Sequence, residues 1–342
     1  MINIKKTILV IFFFLQSCME PDTEKLWSIS IESIFETQGF ARSVIVEGSR
    51  AYVAAGQSGS QIWDLQNNDL VKEFTGYEEG GTFLEFEDLA LIGRDPVNNL
   101  LFLSESNQDV KIFNLDETDS LIYRNTIMSA RTKDFVSFPS RADQFVMYSA
   151  DNDDGLKWHF YNLDSTSSFG IEFIEWTPYG GSEVYTPGKP LGIDSDGESL
   201  IAMAVDQLGV ELFSIDSLGA DLVLIGRVDT QGNAESITLS SSGVFVACDN
   251  AGAAYIPLEN FGTANPAKSF ALDFTVDHIA VHDNIAALSI GSRGLALYDI
   301  SDPEYPIEKG IFPIGYTYMS AFWEGKLLVC SREGLQLIAI TE

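Results

Sequence analysis

One unit recurs seven times along this chain, and each copy ends in a short apolar strand closed by Leu or Ile. The closing residues are Leu65, Leu115, Leu163, Ile215, Leu258, Ile300 and Ile340. Their spacings are 50, 48, 52, 43, 42 and 40 residues. A strand-filled repeat of this length is the signature of a β-propeller blade. The fold class expected is therefore all-β: a seven-bladed β-propeller of four-stranded antiparallel blades.

The first copy gives the pattern of a blade. Ser43-Val44-Ile45-Val46 is a β-branched run, and Glu47-Gly48-Ser49-Arg50 makes the turn. Ala51 to Ala55 is the second strand, Gly56 to Gly59 the next turn, Ser60 to Leu65 the third strand and Leu70 to Phe74 the fourth. Short apolar or alternating runs with β-branched and aromatic residues, separated by Gly-bearing turns, read as an up-and-down sheet. The sixth copy repeats it, with strands at His278–Val281, Ile285–Ser289 and Leu295–Ile300, the last stopped by Pro303. Six copies carry a Gly just before the third strand (Gly59, Gly155, Gly209, Gly252, Gly294, Gly334). Positive φ in a tight hairpin favours Gly there. The second copy has Asn107-Gln108-Asp109 instead.

The seventh copy supplies three strands, near Ala321–Trp323, Lys326–Cys330 and Leu335–Ile340. The missing fourth is expected from Leu26-Trp27-Ser28-Ile29-Ser30-Ile31, which alternates as a strand should. An N-terminal strand closing the last blade removes two open sheet edges. The propeller is thus expected over residues 26–342.

Ala51-Tyr52-Val53-Ala54 and Gly294-Leu295-Ala296-Leu297-Tyr298-Asp299-Ile300-Ser301-Asp302-Pro303 resemble the repeats of the LVIVD-repeat family of bacterial envelope β-propellers. The resemblance spans roughly residues 41–342 and is looser in copies two and three. It implies a propeller of an exported or surface protein.

Residues 1–17 read as a lipoprotein signal peptide. Lys5-Lys6 is a basic start, and Thr7 to Leu15 is an apolar run too short to span a bilayer. Leu15-Gln16-Ser17-Cys18 resembles a bacterial lipobox, which implies cleavage before Cys18 and acylation of its sulfur. Residues 18–25 form an acidic tether that resembles the export tags of surface lipoproteins. The expected location is the bacterial cell envelope, lipid-anchored at the outer membrane and facing the periplasm or the surface. The other two cysteines, Cys248 and Cys330, fall in second strands of non-adjacent copies and are expected to be buried free thiols.

The net charge is −30. Such a charge opposes contact with nucleic-acid phosphates and adsorption to anionic membranes, leaving the lipid as the only membrane contact. The partners expected are a protein, peptide or glycan ligand, bound by a monomer or by a member of an envelope complex.

The channel mouth is the first candidate site. Aligned first strands bring Arg42, Glu87, Lys133, Glu235 and Asp277 to one level, with Leu191 and Met319. Asp88, Asp134 and His278 fall on the next level, with Ser43, Gly192, Ser236 and Ser320. Mixed charge at a mouth suits a polar group or a divalent cation, and equally a solvated rim of internal ion pairs. The second candidate is a pair of long loops, 75–86 and 176–190. Their aromatics Tyr77, Phe83, Phe86, Trp176, Tyr179 and Tyr185 suit stacking on a sugar or anchoring a peptide, or else a hydrophobic cover over the blades.

No cofactor is expected. Asp151, Asp153 and Asp154 are the candidates for calcium, although the run lacks the later bidentate Glu of an EF-hand and a hairpin turn favours Asp in any case. Asp194 to Glu198 reads as another such turn. His278 and His282, four apart on a strand, stand about 13 Å from each other, too far to share a metal. No nucleophile elbow or phosphate loop is present. The function expected is non-catalytic binding or scaffolding through the loop-rich face. The alternative is a metal-assisted lyase or hydrolase with an acidic site at the mouth.

Overall fold

The computed structural model describes residues 25–116, 118–127, 131–152, 155–168, 171–215 and 222–342. The signal segment and Cys18 lie outside them, as do Asp153 and Asp154.

Seven four-stranded antiparallel sheets form the blades of a β-propeller. The innermost strands are Ser43–Glu47, Leu89–Asp95, Thr132–Arg141, Gly192–Ser195, Ser236–Leu239, His278–His282 and Thr317–Trp323. Each touches the next around the ring, and the last touches the first. Ser28–Phe35 pairs antiparallel with Gly334–Thr341 and becomes the outer strand of the seventh blade. The ring closes as the alternation of residues 26–31 predicts.

The core is divided among the interfaces. Among the described residues, seven buried apolar clusters fall one to each pair of neighbouring blades. Each sheet has two apolar faces, so every blade depends on both neighbours. The closing segment feeds two clusters at once. Trp27 enters the one between blades six and seven, and Phe35 the one between seven and one, edge-on to Trp63 with centroids 5.3 Å apart. Cys248 and Cys330 are buried and unpaired, and burial raises the Cys248 thiol to about 12.

Two segments differ from expectation. Residues 176–184 are not a loop: Ile171–Val184 is one long strand paired with Gly155–Ser168. Pro178 is accommodated because this is the outermost strand, where a missing N–H breaks no further ladder, and a register shift sits opposite it at Phe160/Tyr161. Residues 75–86 do connect blades one and two, but as a small hairpin of Gly76–Glu79 and Thr82–Glu85. It lies against the outer strand of blade two, Leu121–Ile127.

Candidate functional site

The central channel has a volume of about 670 Å³. Arg42, Lys133, Asp134, Glu235 and His278 line it; Glu87, Asp88 and Asp277 do not. For Glu87 and Asp88 the reason is local. Bulges in blades two, three and seven each insert one extra residue, Ala90, Lys133 and Tyr318, into the innermost strand. In blade two the bulge slides the register, so Leu91 stands at the level of Ser43, Asp134 and His278. Glu87 and Asp88 are therefore displaced from the channel wall onto the connecting loop above it. In blade seven Met319 takes that level and Ser320 moves one place deeper. A bulge re-aims a side chain, and here Lys133 reaches Asn107 of blade two and Tyr318 lies under the Arg42 guanidinium.

Several channel-wall side chains are committed to neighbouring blades. The Asp134 carboxylate accepts the N–H of Ile193 in blade four at 3.1 Å. The Asp194 carboxylate, on a strand and not in a turn, accepts the N–H of Leu239 in blade five at 2.8 Å. Thr238 donates to the carbonyl of Ile279 in blade six at 2.6 Å. His278 Nδ1 accepts from Ser320 of blade seven at 3.4 Å. These contacts sew four consecutive interfaces from blade three to blade seven. Burial pushes Asp134 up to about 7 and Asp194 up to about 6, against the hydrogen bonds that favour their charged forms, and drives His278 down to about 4.

Above the channel, the rim carries two stretches of different charge. One is acidic. Burial pushes Glu235 up to about 7, reinforced by Asp249, Asp277 and Asp206. Asp277 is raised by burial and by Asp249. Among the described residues, no three His, Cys, Asp or Glu side chains stand close enough to hold a metal ion. Asp151, the one described member of the calcium candidates, is fully buried and pairs with Lys157 at 3.3 Å.

The other stretch, where blade seven meets blade one, is cationic and aromatic. The Arg42 guanidinium lies over the Tyr318 ring at 4.8 Å, and Arg332 lies over Tyr316 at 4.2 Å and Phe40 at 5.5 Å. Arg332 Nε also donates to the Tyr318 hydroxyl at 3.3 Å. Of these residues only Arg42 stands out in the sequence. Phe40, Tyr316, Tyr318 and Arg332 come from opposite ends of the chain and meet only because the ring closes.

The loop aromatics divide. Tyr77, Phe86 and Trp176 are core residues, not ligand platforms. Tyr77 packs on Phe86, Phe113 and Tyr123 with centroids 5.3–5.5 Å apart, and Trp176 is 1% exposed between blades two and three. Phe83, Tyr179 and Tyr185 are exposed. Phe83 sits on the small hairpin and Tyr179 on the long outer strand, against Phe160 at 5.7 Å. The six do not form one face.

No family model matches the chain, and no curated protein matches its sequence. Solved structures do match. The computationally designed Ika8 protein aligns with a TM-score of 0.60 at 10% identity, covering 90% of this chain and 98% of its own. U3-55K aligns with a TM-score of 0.66 at 11% identity, covering 91% of this chain and 98% of its own. At such identities the likeness shows the fold alone.

Proposed function

We propose that this chain is a non-catalytic binding or scaffolding module that engages its ligand through the channel-mouth face. The LVIVD-repeat resemblance and a lipid anchor at Cys18, holding the propeller at the bacterial outer membrane, belong to the same reading and rest on the sequence. The observation that carries the reading is the cationic and aromatic arc at the meeting of blades seven and one. In a chain of net charge −30 it gathers two guanidiniums and three aromatic rings beside an open pocket of about 350 Å³. Such side chains dominate recognition surfaces because they combine contact area with directed polar groups. A protein, peptide or glycan suits such a face, and nucleic acid does not.

A second reading is favoured by one observation. Glu235, raised to about 7 beside three other carboxylates, has the proton affinity of a general acid or base near neutrality. A propeller lyase or hydrolase would use it.

The test is a glycan array and an envelope pull-down with the mature domain, each repeated with Arg332→Ala and Glu235→Gln. Ligands lost in Arg332→Ala and kept in Glu235→Gln support binding at the seam. A ligand captured equally by both variants places recognition elsewhere. Turnover of a captured glycan, abolished in Glu235→Gln, favours the enzyme.

A further inference from the structure

We infer that the pocket over blade one, beside the seam with blade seven, takes a single carboxylated sugar residue, a uronic acid. The inference rests on the mouth-face reading above and narrows it to one chemistry.

Pocket size and lining come first. The cavity of about 350 Å³ is at the small end of ligand sites, room for one pyranose and its substituents and not for a folded segment. Gln38, Arg42, Gln57, Ser58 and Asp88 line it, and Phe40 forms part of its edge. Gly39 and Gly56 complete the wall, and Arg332 stands outside it, against the Phe40 ring at 5.5 Å. A Cβ on Gly39 would stand 2.2 Å from the Ala55 carbonyl oxygen, so only glycine lets the two loops close up to shape the pocket.

Open valences come next. Arg42 Nε is buried and has no hydrogen-bond partner, although Arg42 is a strong donor group. Asp88 forms a long ion pair with the Arg42 guanidinium at 3.6 Å and accepts a hydrogen bond from the Ser106 hydroxyl at 2.9 Å. Arg332 has no carboxylate within ion-pair distance among the described residues, and its guanidinium is held in place by Tyr316, Phe40 and the Tyr318 hydroxyl. Tyr318, pushed out by its bulge, thus sits between two pre-positioned guanidiniums. A carboxylate is the group that planar guanidinium donors recognise with directed hydrogen bonds.

Charge alone does not describe the site. Asp88 and the two glutamine carbonyls are acceptors, and a bare anion offers them nothing. The ligand must also bring donors, as ring hydroxyls do. Phe40, 45% exposed at the edge, offers an apolar face to the C–H side of a sugar ring.

Calorimetry on the whole mature protein at low salt, with three probes, tests this. The probes are tri-galacturonate, the same trimer fully methyl-esterified, and tri-glutamate. Tri-galacturonate is expected to bind, and the ester and tri-glutamate at least about tenfold more weakly, since each lacks one half of the recognition. Arg332→Ala and Phe40→Ala should each weaken tri-galacturonate without shifting the melting temperature. The inference is overturned by equal binding of the ester, by equal binding of tri-glutamate, by undiminished binding in both variants, or by no heat with tri-galacturonate at millimolar concentration. If these fail while array or pull-down ligands still depend on Arg332, the carboxylated sugar is wrong and the mouth-face reading stands.

Discussion

The mouth of this propeller is built in two ways. From blade three to blade seven, innermost strands are sewn together by polar side chains: Asp134 to Ile193, Asp194 to Leu239, Thr238 to Ile279, and His278 to Ser320. Carboxylates there are spent on structure or crowd one another around Glu235. Between blades seven and one the ring is closed by a strand from the other end of the chain, with Trp323 donating to the Gly48 carbonyl at 2.9 Å across the seam. There the polar groups above the channel are guanidiniums stacked on rings, one with an orphaned N–H. Neither side is fully satisfied: the buried hydroxyls of Thr132, Ser289 and Ser320 lack partners on the sewn side, as Arg42 Nε does at the seam, but only the open donor at the seam belongs to a charged group. Unsatisfied buried polar atoms mark where a structure expects something more, and the proposal of recognition at the seam rests on that difference in charge.

The strongest way to break the contrast is to open the seam. Removing residues 26–35 takes Trp27 and Phe35 out of two cores and leaves Gly334–Thr341 as a bare edge. The two aromatics alone are worth roughly 3–6 kcal/mol. Urea unfolding of the truncated chain should show that loss or outright aggregation. A midpoint equal to that of the intact protein would mean the seam is not what holds the ring.

The sewn arc should respond more mildly. Asp134→Ala strands the Ile193 and Phe135 N–H groups that its carboxylate accepts, at a cost of about 1–3 kcal/mol by urea unfolding. Asp134→Asn keeps an acceptor oxygen and removes the charge. The folded-state affinity of Asp134 for its proton lies above that of the unfolded chain, so its contribution is most favourable at low pH. It is lost as pH rises from about 4 through about 7. His278, pushed down to about 4, acts in the opposite sense, losing stability as pH falls from 6.5 towards 4. Asp134→Asn should therefore gain most over the wild type at pH 8, and the gain should vanish by pH 4. A pH-independent difference would mean that the carboxylate is charged in water and not in a latch.

Glu235→Gln probes the repulsion on the same arc. The raised affinity of Glu235 for its proton makes its charged form a burden at pH 8, and channel water screens much of it. The variant should melt slightly above the wild type at pH 8, by about 1 kcal/mol or less, and level with it at pH 4.5. A variant less stable at pH 8 would mean that the Glu235 charge is compensated and the acidic arc is not under strain.

The sequence makes the ring legible because the blades repeat the same accounting: two apolar faces, a closing Leu or Ile and, in all but the second, a Gly hairpin. Even the closing strand announces itself in the alternation from Leu26 to Ile31. What it hides is register. A bulge adds one residue without disturbing the apolar pattern, so Ala90 and Tyr318 shift their strands unseen, and Glu87 and Asp88 align with the wall on paper while sitting above it. Pro178, Gly180 and Gly181 punctuate like a loop, yet an outer strand tolerates them, which is why Trp176 reads as a surface aromatic and is core. Asp194 reads as turn chemistry, but its carboxylate reaches a neighbouring blade. The seam pocket carries no local signal at all. Phe40 and Arg332 are nearly the whole chain apart, and only the closure expected at residues 26–31 would lead one to superpose them.

The smallest expected effect on stability is also the sharpest on the comparison. Arg332 is exposed and touches its neighbours through ring faces and one long hydrogen bond to Tyr318. Exposed substitutions away from the core are nearly neutral, so Arg332→Ala should melt within about 2 °C of the wild type. Its removal nevertheless takes away the seam guanidinium that has no carboxylate within ion-pair distance among the described residues, while the sewn arc has no equivalent group whose loss is silent: Asp134 and His278 are bound into interfaces. A clear fall in the melting temperature of Arg332→Ala would make the seam cluster a further stitch beside the Trp323–Gly48 hydrogen bond, as structural as the four of the sewn arc, and the two arcs would then differ in chemistry but not in purpose.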